Sequence, residues 1–331
     1  MKCSKLLLIQ HLLLICVLCF FFNTIAAQNS LLWKIEGNNL ETTSYLYGTM
    51  HSQDKRVHDL GRLAVPYIEA SDAVALELII DSTDLFRMMT SMFGGMMMKD
   101  TTLQDLYERE DYQVVKKFIA DKMGMFAFLL KVDKMKPLFI SLFAEEIATL
   151  ESPNGHEMDM ALDQFFQAVG AEKHKKLIGV ETFEEQMGAF NRIPLQEQAV
   201  MLLDMAQLEQ LGTGEAVQDT SVQTLMYYYL AQDLEGLMEW YDREQNYSDS
   251  SFDAVILLER NYRMADRMDK IVQSQATFIA VGALHLPGED GLIQLLTNKG
   301  YELSPVVMIT QGVEGMSKMT QTKELEMQKK E

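Results

Sequence analysis

Four short apolar runs in this chain each end on a side chain that can carry charge. They read SYLYGTMH at Ser44–His51, DAVALE at Asp72–Glu77, LIGVE at Leu177–Glu181 and TFIAVGALH at Thr277–His285. Runs of this length bounded by glycine or polar turns read as strands, and stretches of helical period fall between them. That alternation predicts an α/β fold, with a mixed central sheet flanked by helices. In such folds ligands gather outside the carboxyl ends of the strands. His51, Glu77, Glu181 and His285 therefore form one candidate constellation, although the chain scatters them.

Two of the runs end alike, in Gly-x-x-His. A glycine there lets backbones approach closely or take an unusual dihedral, and the imidazole follows on the turn. An acid inside an apolar run, as at Glu77, is costly unless it is paired, ligated or at the strand end. His58, His156 and His174 lie in polar or helical contexts and read as surface residues.

The first residues are set apart from the fold. Lys2 and Lys5 precede the apolar stretch Leu6–Phe22, and Ala26–Ala27 stand before Gln28, the pattern of a signal peptide spanning residues 1–27. The expected product is periplasmic or secreted, with no membrane span once that segment is removed. Cys3, Cys16 and Cys19 are the only cysteines. With the segment cleaved, a disulfide framework, a thiolate nucleophile and a cysteine-held zinc all drop out. The net charge of −19, with no basic aromatic patch, argues against nucleic acid as a partner.

The main domain is expected over residues 28–310. It opens with a hairpin, LLWKI to SYLYG, followed by a helix over Asp59–Ser71. A methionine-rich helical insertion covers about 85–150, with six methionines between Met88 and Met98. Methionine is unbranched and adaptable, so this segment suits either the core of a helical subdomain or a mobile lid over a site. LGTGEAVQDTS reads as a loop between helices at Leu195–Leu208 and Val222–Leu237. Leu257–Gln273 reads as a charged amphipathic helix. Residues 311–331 are polar and weakly periodic, a flexible tail.

Two imidazoles with one or two carboxylates suit a divalent ion such as Mn, Co or Zn, with His51, His285 and Glu77 as ligands and a carboxylate as general base. A metal-free alternative, with one histidine as base oriented by the acids, is also available. His-Glu-x-x-His, Gly-x-Ser-x-Gly, the P-loop and the dinucleotide fingerprint are all missing.

An ordered set of motifs extends this reading: GTMH at Gly48–His51, ALE at Ala75–Glu77, MDMAL at Met158–Leu162, GVETFEEQ at Gly179–Gln186, ERN at Glu259–Asn261, and VGALHLPGEDGLIQLL from Val281. Together, from about Leu32 to about Val307, they resemble the TraB/GumN (PrgY) family, which is similar to the Tiki metal-dependent proteases and more distantly related to erythromycin esterases and haem-uptake proteins. The resemblance implies function at His51, His285 and Glu77, and less directly at Glu181, whose match rests on GVET. Arg260 of the ERN signature would hold a carboxylate in place or bind a substrate carboxylate or oxyanion; a structural ion pair with Glu259 or Asp163 is the alternative. The implied activity is that of an exported metal-dependent hydrolase acting on a peptide or protein. A binding protein for haem or a peptide signal, or a metal-independent esterase-like hydrolase, stands as the alternative.

Overall fold

A computed structural model gives the fold, described over residues 30–79, 94–151, 160–210, 214–244 and 254–309. The segment expected to be a signal peptide, the methionines at 88–92, His156, Met158 and the segment expected to be a tail lie outside these residues.

The sheet begins with the expected hairpin. β1 (Leu32–Gly37) turns through Asn38 and Asn39, both at positive φ, into antiparallel β2 (Ser44–Thr49). Glycine and asparagine tolerate that region better than other residues. Two helices follow, α1 (Lys55–Arg62) and α2 (Val65–Ala70), where the periodicity predicted one over Asp59–Ser71. Pro66 explains the break, because its ring and missing N–H fit only the first turn of a new helix. Asp54 caps α1 by accepting the Arg56 N–H at 2.7 Å.

β3 (Ala73–Leu76) is buried along its whole length, and Glu77 follows it directly. Next come α3 (Arg109–Met123) and α4 (Pro137–Glu151), then α5 (Leu162–Glu172), β4 (Lys176–Gly179), α6 (Phe183–Phe190) and α7 (Leu195–Gln210). α8 (Gly214–Leu230) begins inside the segment expected to be a loop. Beyond its glycine, that stretch is rich in residues a helix accepts. After α9 (Leu234–Glu244), α10 (Glu259–Ser274) leads into β5 (Thr277–Gly282), α11 (Leu292–Asn298) and β6 (Tyr301–Pro305).

The six strands form one mixed sheet in the order β4-β3-β5-β2-β1-β6. β4, β3, β5 and β2 are mutually parallel, and β1 is antiparallel to both its neighbours. β5 is buried apart from its final glycine and β4 is largely accessible, as expected of a central and an edge strand. The main core includes Leu46, Tyr47, Val74, Phe166, Phe278 and Ile279.

A second apolar cluster lies among α3, α4 and α7, with Met96, Met98, Phe118, Met123, Phe139 and Leu202 among its buried members. Met97 bridges to Met135, and the Met98 N–H donates to the Lys134 carbonyl at 2.7 Å. The described part of the methionine stretch thus packs into a core of its own.

His58 overturns an expectation. It was read as a surface residue, yet it is fully buried, with its ring edge-on to Phe165. α1 turns Val57, His58, Leu60 and Gly61 inward, and the polar residues around them mask that face in the sequence. His174 is exposed, as read.

Candidate functional site

The two Gly-x-x-His turns lie side by side. β2 and β5 are adjacent and parallel, with Gly48 opposite Val281 and Thr49 opposite Gly282. A Cβ on Gly48 would come within 3.0 Å of the Ala283 Cα and 3.1 Å of its Cβ, so only glycine lets one turn rest on the other. Beneath them, the Tyr229 hydroxyl donates to the Gly48 carbonyl at 3.0 Å.

Glu77 joins this pair of turns to the neighbouring strand. Its Oε1 accepts the Gly282 N–H at 2.7 Å, and its Oε2 accepts from an Arg260 terminal nitrogen at 2.8 Å. The β3–β4 pairing runs on past the strand ends, with the Glu181 N–H donating to the Glu77 carbonyl at 2.8 Å. That places Glu181 beside Glu77, its side chain wholly buried. Glu181 accepts from the Arg260 Nε at 2.8 Å and from Arg263 at 2.6 Å.

Arg260, Arg263 and Arg267 recur at helical spacing on α10, and Arg267 extends the ladder to Glu185. Arg260 is thus in an ion-pair network, with Glu77 and Glu181 as partners rather than Glu259 or Asp163. Burial alone would raise the Glu77 carboxyl, but His285 when its ring is protonated, the Arg260 guanidinium and the Gly282 N–H outweigh it. The net effect holds Glu77 below the usual carboxylate range.

His285 is 5 % exposed and sits behind Glu77, its Nε2 3.7 Å from Glu77 Oε1. Its Nδ1 meets the Asn261 Oδ1 at 2.6 Å, while the Asn261 Nδ2 donates to the Asp290 carbonyl at 2.8 Å. That second bond fixes the amide, so Nδ1 is the donor and Nε2 carries the lone pair. Burial, aided by the Arg260 charge, lowers the ring to about 4 against the pull of Glu77 and Glu181. The imidazole is neutral at pH 7.

His51 is placed differently. Its side chain is 80 % exposed, and its Nδ1 bonds to the carboxylate of Asp163 in the first turn of α5. Burial would raise Asp163, but the hydrogen bond and charge of His51, with Thr49, hold it below the usual range. A cleft of about 400 Å³ opens here, its wall including His51, Glu77, Asp163, Gln167, Gln186 and Phe190.

The carboxyl ends of the parallel strands therefore bring His51 and Glu77 to the cleft, with His285, Glu181 and Arg260 in a buried layer behind. Asp163 was not foreseen as a site residue. Its only signal was its position directly after MDMAL, one of the motifs quoted above.

The donor chemistry suits a divalent ion in one respect. Each imidazole has Nδ1 on an oxygen partner, the arrangement that fixes ligating histidines. Among the described residues, however, no three or more of His, Cys, Asp and Glu form a closed metal cluster.

Several curated proteins are similar along most of the chain. Metalloprotease TIKI2 of Danio rerio is 24 % identical over 320 residues, covering 83 % of this chain and 61 % of that protein. Metalloprotease TIKI1 of Homo sapiens is 23 % identical over 340 residues, covering 89 % and 65 %. The Metalloprotease TIKI homolog of Nematostella vectensis is 23 % identical over 322 residues, covering 84 % and 67 %. The chain thus spans roughly three-fifths of the length of the TIKI2 relatives. No solved structure matches. The profile of the TraB/PrgY/gumN family matches residues 31–305, which include both Gly-x-x-His turns, Glu77, Glu181 and the ERN segment, and the chain belongs to that family.

Proposed function

We propose that this protein is an exported metal-dependent peptidase whose reaction centre is the cleft walled by His51 and Glu77. One observation carries the reading: two Gly-x-x-His turns abut on neighbouring parallel strands, each imidazole anchored through Nδ1. The relatives named metalloproteases support the reaction class. His51 and His285 would hold a Mn, Co or Zn ion, with Glu77 as the nearby carboxylate. Such an ion supplies a Lewis acid and lowers the pKa of bound water.

The chain's own residues do the rest. Glu77, ionised at neutral pH, takes a proton from attacking water at Oε1. Arg260 holds Glu77 in place through one guanidinium nitrogen, and Glu181 holds Arg260. Asp163 fixes the His51 ring at the cleft wall. The substrate is a peptide or protein, met outside the cytoplasm after loss of residues 1–27.

The His51–Asp163 pair favours one second reading, a metal-independent hydrolase in which His51 is the base. Metal analysis of the purified protein, together with a peptide-library cleavage screen, separates the two. A stoichiometric ion that is lost, along with turnover, in His51→Ala and His285→Ala supports the first. Full turnover in metal-free protein selects the second. A protein in which both variants keep all activity, or which binds haem or a peptide without turnover, overturns the proposal.

A further inference from the structure

α3 ends at Gly124, whose φ of +48° turns the chain into a short helical segment, Met125–Leu129. There Met125 is 74 % exposed, Phe128 87 % and Leu129 62 %. Isolated surface apolar residues need no account, but three large ones on a single turn mark an interaction site. The second core lies close by, since Ala127 and Leu130 pack on it and Val132 and Met123 are inside it. The exposed three are directed away from a core that accepts their neighbours.

The stretch of sequence around them is basic where the chain as a whole is acidic, with Lys122 paired to Glu209 at 2.7 Å. Residues 116–136 hold Lys116, Lys117, Lys122, Lys131, Lys134 and Lys136 against Asp121 and Asp133, in a chain of net charge −19. Lys116, Lys117, Lys131 and Lys134 are exposed. An apolar tip with basic flanks suits a surface that is apolar beneath an anionic layer. A second copy of the chain fits less well, because a two-fold contact would set this lysine-rich stretch against itself.

We propose that this tip binds the surface of an anionic phospholipid bilayer. Met125, Phe128 and Leu129 enter the boundary between headgroups and acyl chains, and the lysines lie along the phosphates with their alkyl stems on the apolar side. Phe190 packs against the second core and also lines the cleft, so the core that carries the tip adjoins the cleft wall. The proposal does not depend on the reaction assigned above.

Flotation of the full mature chain with vesicles tests it, using phosphatidylcholine mixed with phosphatidylglycerol beside phosphatidylcholine alone. Binding to the mixed vesicles, weakened by salt, is expected. Replacing Met125, Phe128 and Leu129 together by serine should cut the partition by about tenfold or more with the thermal melt unchanged. Lys116→Glu with Lys117→Glu and Lys131→Glu should remove the preference for anionic vesicles. No binding to either vesicle, or equal binding by the serine variant, overturns the proposal. A concentration-dependent dimer in sedimentation that the serine variant abolishes would assign the tip to self-association instead.

Discussion

Arg260 ties together two carboxylates that would otherwise face each other across the ends of β3 and β4. Arg260→Ala leaves Glu181, which has no exposed side-chain surface, with Arg263 as its remaining partner here. The expected loss is about 3–5 kcal/mol, read from urea unfolding. Gly48→Ala should cost about 1–3 kcal/mol and lower activity out of proportion, because its methyl would wedge the two histidine turns apart. His285 gives the site a pH signature. Its ring falls from an ordinary value of 6.5 to about 4 on folding, so between these values the unfolded chain binds a proton that the folded one refuses. Stability should be intact above about 6.5 and fall as pH drops toward about 4. The urea midpoint followed against pH checks this, and His285→Gln should flatten that part of the curve. At this scale the sequence was informative wherever a charge interrupted an apolar run. Glu77, Glu181 and both Gly-x-x-His histidines could be picked out for that reason. Asp163 could not, since its importance lies in a contact with His51 that only the packing of α5 against the end of β2 creates.

Among the elements, strands were easier to find than helix boundaries. A buried strand such as β5 needs apolar residues on both faces, and that continuous run survives in the sequence. The break between α1 and α2 rests on one proline, and the early start of α8 on residues equally at home in a loop. α1 shows the opposite difficulty, because KRVHDLGR is polar by composition yet turns His58 fully inward. Neither ring nitrogen of His58 has a hydrogen-bond partner among the described residues. An unsatisfied buried polar group is destabilising, so His58→Leu should raise stability by about 1 kcal/mol or more in thermal or urea unfolding. A loss instead would mean that the ring is satisfied by a group outside the described residues.

For the whole molecule, the alternation of strands and helices was enough to predict the α/β class. The carboxyl-end rule was enough to predict that Glu77, Glu181 and the two Gly-x-x-His turns would gather at one end of the sheet. It did not predict that His51 would bond to Asp163 or that His285 would lie behind the cleft wall. The strand order was beyond reach, because it depends on which edges pair across long stretches of chain. No helix among the described residues is long and apolar enough to cross a membrane. The amino-terminal reading is tested by intact mass, which should place the start of the exported protein near Gln28; retention of residues 1–27 would refute it. One feature of the sheet bears on how the protein comes into being. β5 is late in the chain, yet it lies between β3 and β2 and contacts both. A chain emerging from its amino terminus can make the hairpin and the early helices, but it holds a vacant central slot until residues 277–282 arrive. Such long-range closure slows folding. It also means that both histidine turns and the acid between them come together only when synthesis is nearly complete, so the proposed centre does not exist before then.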